Sequence, residues 1–309
     1  MLSRIAESLY WLGRYAERAE DTARILDVHY HLLLEDRWVD DSAASAALLE
    51  VMGLGDRVAP GCSSATVTRL LAFDDAYAGS IVGALRAAWK NARGAREAIS
   101  SEMWECLNVT HEALAGRASM VSDHTPHLFF AWVKERGAVL AGLADSTMSR
   151  DDGWRLLLLG RSLERADMTA RLLSTRYGDT WGNSGWVTTL RCCSGYEAYL
   201  RTYQRAVDAS LAAEFLVLDR LFPRSLFHAL RTAEECLAEL GPAGGRAGMD
   251  DEARRLVGQA KTELEFRSAD ELLEDLPRHL ARIQQQCFDA GGAVASQYFR
   301  QTRPMEWSA

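Results

Sequence analysis

Arginines and carboxylates at helical spacing are the residues of this chain best suited to chemistry, and they occur as two copies of one pattern. Residues 12–26 read LGRYAERAEDTARIL. Residues 159–173, lying 147 positions downstream, read LGRSLERADMTARLL, identical at ten of fifteen positions. On a helix turning about 100° per residue, Arg14, Glu17, Arg18, Asp21 and Arg24 fall in one sector of about 120°, opposite Leu12, Tyr15, Ala19, Ala23 and Leu26. The second copy keeps Arg161, Glu164, Arg165 and Arg171 but places Met168 where the first has Asp21. A solvated face of i,i+4 ion pairs is free to drift. A methionine among retained charges instead implies a cluster that is partly buried, and buried charges need partners. Two chemistries follow. Glutamates of one copy can pair with arginines of the other across a pseudo-two-fold axis, which makes a structural lock. Alternatively Arg14, Arg18, Arg24, Arg161, Arg165 and Arg171 receive the carboxylate or phosphate of a ligand, with Glu17 and Glu164 orienting them. The sequence leaves both open.

Other candidates are weaker. Arg224 and Ser225 stand at a helix start, where an anion contact competes with a plain N-cap. Of the close histidine pairs, His29/His31 has i,i+2 spacing that points the rings apart on a helix, and His124/His127 lacks a carboxylate third ligand at matching spacing, so no metal site is assigned. Gly241–Gly248 is glycine-rich without the Gly-Lys-Ser/Thr ending of a phosphate loop, and Cys192-Cys193 has no evident base. No catalytic residue and no cofactor is named on this reading.

The elements that would position these residues read as helices throughout. Six prolines and the absence of long β-branched runs favour helix over strand. A second repeated pair, Asp74…Ser80-Ile81…Ala84-Leu85-Arg86 and Asp219…Ser225-Leu226…Ala229-Leu230-Arg231, keeps nearly the same offset. The expected fold is therefore all-α, with two tandem, pseudo-symmetric helical-bundle halves from an internal duplication, 1–148 and 149–309, packed as one unit. Long helices are expected at 2–34, 80–99, 151–176, 187–210 and 270–301. Gly291-Gly292 is expected to disturb the last of these, and Gly241–Gly248 reads as a linker.

Composition narrows the function classes. A net charge of −8 offers no general field for nucleic acid or anionic membrane. No apolar run approaches a membrane span, and Met1 leads directly into an amphipathic segment with no visible leader. Six cysteines without paired spacing fit a reducing, cytoplasmic setting.

The doubled Gly-Arg-x-x-Glu-Arg-Ala core resembles the bacterial alpha-E family, all-helical proteins with a recurring Glu-Arg motif. So do Arg96-Glu97-Ala98-Ile99-Ser100, Glu102-x-Trp104-x-x-Leu107-Asn108, Ser194-Gly195-Tyr196-Glu197-Ala198-Tyr199 and Phe222-Pro223-Arg224-Ser225. The family's motif maps onto Glu17, Arg18, Glu164 and Arg165. The resemblance implies a helical fold in the bacterial cytoplasm. It also implies association with a circularly permuted ATP-grasp protein, of the kind that joins carboxylates to amines, and with a transglutaminase-like protein. The expected role is that of a non-catalytic or co-catalytic partner of such a ligase in peptide or amide bond formation, holding an anionic substrate or docking the enzyme. The alternatives are a stand-alone small-molecule transferase using the paired Arg/Glu clusters, and a homo-oligomeric scaffold.

Overall fold

The computed structural model describes residues 2–57, 62–119, 125–176, 182–241 and 251–299. Among these there are fourteen α-helices and no strand. The first half contains α1 (Ser3–Glu35), α2 (Asp41–Val51), α3 (Ser64–Thr68), α4 (Ile81–Gly94), α5 (Ser101–Ser119) and α6 (Pro126–Thr147). The second contains α7 (Asp152–Arg176), α8 (Gly182–Cys192), α9 (Tyr196–Tyr203), α10 (Ala209–Leu218), α11 (Leu226–Leu240), α12 (Glu252–Phe266), α13 (Ala269–Glu274) and α14 (Leu276–Val294). None of the described helices is long and apolar enough to cross a membrane.

The two halves are built alike. In the first, α1 packs on α4 and α6, and α5 closes the bundle against α4 and α6. In the second, α7 packs on α11 and α14, and α12 closes it against α11 and α14. The buried positions of α6 at 126, 129, 130, 133, 140 and 144 recur 150 residues later in α14 at 276, 279, 280, 283, 290 and 294. The starts of α4 and α11 also match. Ser80 Oγ donates to the Asp74 carbonyl and accepts from the Gly83 amide at 2.9 Å. Ser225 Oγ donates to the Asp219 carbonyl and accepts from the His228 amide at 3.1 Å. Each serine thus satisfies an otherwise orphan helix donor and ties the preceding loop down.

The helices α1 and α7 meet at the centre, and glycine sets how closely. A Cβ on Gly13 would fall on the Leu157 carbonyl, and one on Gly160 would fall on the Tyr10 carbonyl. Contacts hold a nearly constant offset, 13 with 157, 10 with 160, 17 with 161 and 165, so the two helices run side by side in the same direction. Because α1 is also covered by α4 and α6, its polar sector is enclosed along with its apolar one; Leu12, Ala19, Ala23 and Leu26 are all buried.

Several expected helices are broken. The 80–99 helix stops at Gly94, followed by a 3-10 turn at Arg96–Ala98, and Ser100 Oγ then accepts from the Met103 amide to start α5. The 187–210 helix is interrupted twice, at Ser194 (φ 52°) and Gln204 (φ 51°). Left-handed residues end helices there without the glycine that usually marks such a stop. Residues 270–301 split at Asp275, with Pro277 in the first turn of α14. Gly291 and Gly292 do not disturb that helix; its irregular end is a π turn at Ala295–Phe299. Residues 182–185, expected in a loop, open α8. The linker stretch beyond Gly241 and the Asp123-His124 helix start lie outside the described residues.

Gly13→Ala should lower stability by about 1–3 kcal/mol, because the added methyl meets backbone that cannot rotate away. Gly116→Ala, with nothing within 4 Å of the new Cβ, should raise it by about 0.5–1 kcal/mol through helix propensity alone. Urea denaturation of the two variants checks both signs.

Candidate functional site

The repeated charges face one another across the α1/α7 contact. Glu17 accepts from Arg161 Nε at 2.8 Å, from Arg165 Nε at 2.7 Å and from Arg165 Nη2 at 2.9 Å. Glu164 accepts from Arg14 Nε at 2.5 Å, from Arg18 Nε at 2.6 Å and from Arg18 Nη2 at 3.0 Å. Each motif glutamate is held by two motif arginines of the other helix. Glu17 and Glu164 are 2% and 3% exposed. The pairing lies one turn beyond Gly13 and Gly160, whose missing side chains bring the helices within reach of these bonds.

The two sides of the lock are not equal. Arg224, from the loop before α11, lies 2.9 Å from Glu17 and 2.8 Å from Glu20 and also pairs with Asp21. Its guanidinium is thus met by three carboxylates of the chain itself. Ser225 is the N-cap of α11. At the matching positions of the other side stand Gly79 and Met168, so the extra cation and the extra carboxylate are absent together. Arg24 pairs with Glu20 at 2.5 Å and donates to Ser194 Oγ; Arg171 pairs with Asp167 at 2.9 Å. All eight repeated residues therefore take part in ion pairs, in three groups: Glu17 with Arg161 and Arg165, joined through Arg224 to Asp21, Glu20 and Arg24; Glu164 with Arg14 and Arg18; and Asp167 with Arg171 inside α7. Glu20 and Asp167 belong to these groups although the sequence reading did not place them in the site, and Asp21, read there as part of the charged sector, pairs with Arg224. The joint loss of Asp21 and Arg224 at corresponding positions was the signal that could have found their pairing.

Electrostatics follow from burial and partner count. Burial alone would raise the Glu17 carboxyl, but Arg165, Arg224 and Arg161 outweigh it and hold Glu17 well below the ordinary value of 4.5. Glu164 is likewise lowered, Arg14 and Arg18 overcoming burial. Asp21 goes the other way, to about 7. Burial dominates; Arg224 opposes it only in part, and the charges of Glu17 and Glu20 add to it. Its Oδ2 is buried without a hydrogen-bond partner, which suits a protonated carboxyl.

A cleft of about 1070 Å³ opens beside the lock, between α1 and α7 on one wall and α12 and α14 on the other. Arg14, Arg18, Asp167 and Arg171 line it. Cys287, also on its wall, has a thiol that burial pushes up to about 12, with the nearby Asp167 adding and Arg14 opposing. It is a thiol rather than a thiolate at neutral pH. On the opposite side of the lock, α6 leaves a cavity of only about 30 Å³ against Glu17, Glu20 and Arg161. Elsewhere His31 approaches Asp27 at 3.6 Å, and His127 stacks on Tyr30. Of the aromatic and acidic stretch 194–199, Tyr199 is buried while Glu197 is exposed.

The fold and site together define an all-helical protein whose doubled Glu-Arg motif joins its two bundles from within. A sequence model of the Alpha-E family, described as a predicted alpha-helical domain with a conserved ER motif, matches residues 1–299, and the chain belongs to this family. It is also similar to an uncharacterized protein of Mycobacterium bovis and to two of Mycobacterium tuberculosis, 27% identical in each case over 91% of this chain. The chain spans 35% of the length of each of these relatives. No solved structure matches it.

Glu164→Gln leaves Arg14 and Arg18 facing a neutral amide in a mostly buried setting and should cost about 2–4 kcal/mol. Glu135→Gln, removing an exposed pair with Arg136, should change stability by less than about 0.5 kcal/mol. Thermal or urea unfolding compares the two.

The pH dependence carries two opposite signs. The depressed Glu17 and Glu164 contribute stability that is present above their ordinary value of 4.5 and is lost as pH falls through their lower folded values. The raised Asp21 contributes stability that is present below its ordinary 3.8 and is lost as pH rises through about 7. Urea midpoints at about pH 5 and about pH 8 should therefore fall for the native chain and stay level in Asp21→Asn.

Proposed function

We propose that this chain is an accessory protein. On this reading it is a helical partner on which an ATP-grasp-type ligase, together with a transglutaminase-like protein, works in peptide or amide bond formation in the bacterial cytoplasm. The observation that carries the proposal is the use of the motif itself. The Glu and Arg side chains that mark the family are engaged with one another between α1 and α7, where they frame the molecule. A catalytic acid or base must instead reach a substrate proton. Glu17 and Glu164, held ionised by two or three guanidiniums each, are poor bases. The relatives add support: in them the matched stretch is about a third of a longer polypeptide, as expected for a module that works alongside other parts.

The test is recovery of the tagged chain from native extract with mass spectrometry of what accompanies it. A stoichiometric ATP-grasp protein is the expected result, and recovery of this chain alone would overturn the proposal. A folded Glu17→Gln/Glu164→Gln double variant separates the accessory reading from a stand-alone transferase. The accessory reading expects the assembled ligase to keep its activity, and the transferase reading expects activity to vanish.

A further inference from the structure

The geometry points to the cleft between α1/α7 and α12/α14 as a binding site for an amino acid or short peptide, with its carboxylate on the arginine wall and its amine on the facing carboxylates. The first argument is the difference between two matched faces. Gly137 of α6 lets that helix settle onto Glu20, where a Cβ would meet Oε2 at 2.8 Å, and the space there closes to about 30 Å³. In α14 the matching residue, 150 positions on, is Cys287, and Asp167 replaces Glu20 with a shorter side chain; about 1070 Å³ remains. A site for a drug-sized ligand needs several hundred Å³.

The second argument is unspent hydrogen bonding on the inner wall. Arg14 uses Nε on Glu164 and Nη1 on Tyr10, and Arg18 uses Nε and Nη2 on Glu164. Arg171 uses Nε on Asp167. Among the described residues, Arg14 Nη2, Arg18 Nη1 and the two terminal nitrogens of Arg171 have no hydrogen-bond acceptor. Three guanidiniums on this wall pair with two carboxylates, Glu164 and Asp167, which leaves one positive charge unmatched. A carboxylate fits the planar N–H fork of arginine.

The third argument is the facing wall. Glu252 and Asp289 line it with the amides of Gln284 and Gln285; Glu252 pairs with Arg255 at 3.1 Å on one oxygen, Asp289 accepts from Gln285 on one oxygen, and both carboxylates are exposed to solvent with the other oxygen open. They oppose a doubly charged phosphate and favour an ammonium. Phe288, 78% exposed although apolar, and Trp11 offer flat surfaces to the body of the ligand. A cationic wall, an anionic wall and apolar surface between them match a zwitterion.

This inference supplies the small-molecule half of the accessory reading. It is tested on the isolated full chain, so that failure here leaves partner docking standing, and failed docking leaves this site standing. Calorimetric titration would use the L-amino acids, alanylalanine, its C-terminal amide and its N-acetyl derivative, and inorganic phosphate. At least one zwitterion should bind, with blocking of either end weakening it about tenfold, the scale of one lost charge-assisted hydrogen bond. Phe288→Ala, outside every ion pair, should weaken that binding with unfolding temperature held, and Arg171→Gln should weaken it as well, its loss of the Asp167 pair being read separately from the unfolding temperature. Absence of binding by every zwitterion, equal binding of phosphate, or binding unchanged in both variants would overturn the assignment.

Discussion

Two buried carboxylates, each shared by arginines from the opposite helix, constrain everything else in this molecule. Removing Glu17 and Glu164 from water is expensive unless their full hydrogen-bonding capacity is met in place. It is met only when α1 and α7 lie parallel, close, and at one offset. A slip of one turn would leave Glu17 facing only one of Arg161 and Arg165, and Glu164 only one of Arg14 and Arg18. Apolar packing between the same helices would tolerate such a slip far better, since methyl groups accept many neighbours. The charges therefore select the register of the two bundles, and the glycines at 13 and 160 supply the separation that makes the bonds reachable. Net stabilisation is a separate matter, because burying an ion pair spends much of its own attraction on desolvation.

The sequence carried this centre unusually well, for a physical reason. Helical periodicity and repetition are both local in the chain, so the charged sector and its twin could be read without knowing what they touched. The odd Met168 among retained charges correctly indicated burial, because an apolar side chain has little reason to persist on a wet face. The role of Arg224 was less legible. A lone arginine at a helix start carries no mark of a partner 203 residues away, and only the paired absence at Gly79 and Met168 hints at it. The helix breaks at Ser194 and Gln204 were hidden for a similar reason. Neither is glycine or proline, so nothing in the residue type marks the left-handed backbone found at either position.

Matched halves also explain how a rigid frame can leave room for variation. The Glu–Arg contacts join α1 to α7, so they serve both halves and change at the expense of both. Positions away from this contact face different neighbours in each half and are free to differ. On one side the additional pair of Asp21 and Arg224 and the small Gly137 draw the structure closed, and burial leaves Asp21 near neutrality. On the other, Met168, Gly79 and Cys287 remove the internal partners and hold α14 back, so that Arg14, Arg18 and Arg171 line open space. Of the arginines of the open side, Arg14 and Arg18 still belong to the lock through Glu164, and Arg171 is held by Asp167 within α7. Their orientation is thus set by buried bonds even as their remaining N–H groups face solvent, which is the pre-organised condition under which a guanidinium recognises a carboxylate at least entropic cost. A frame of this kind couples fold and recognition through the same side chains.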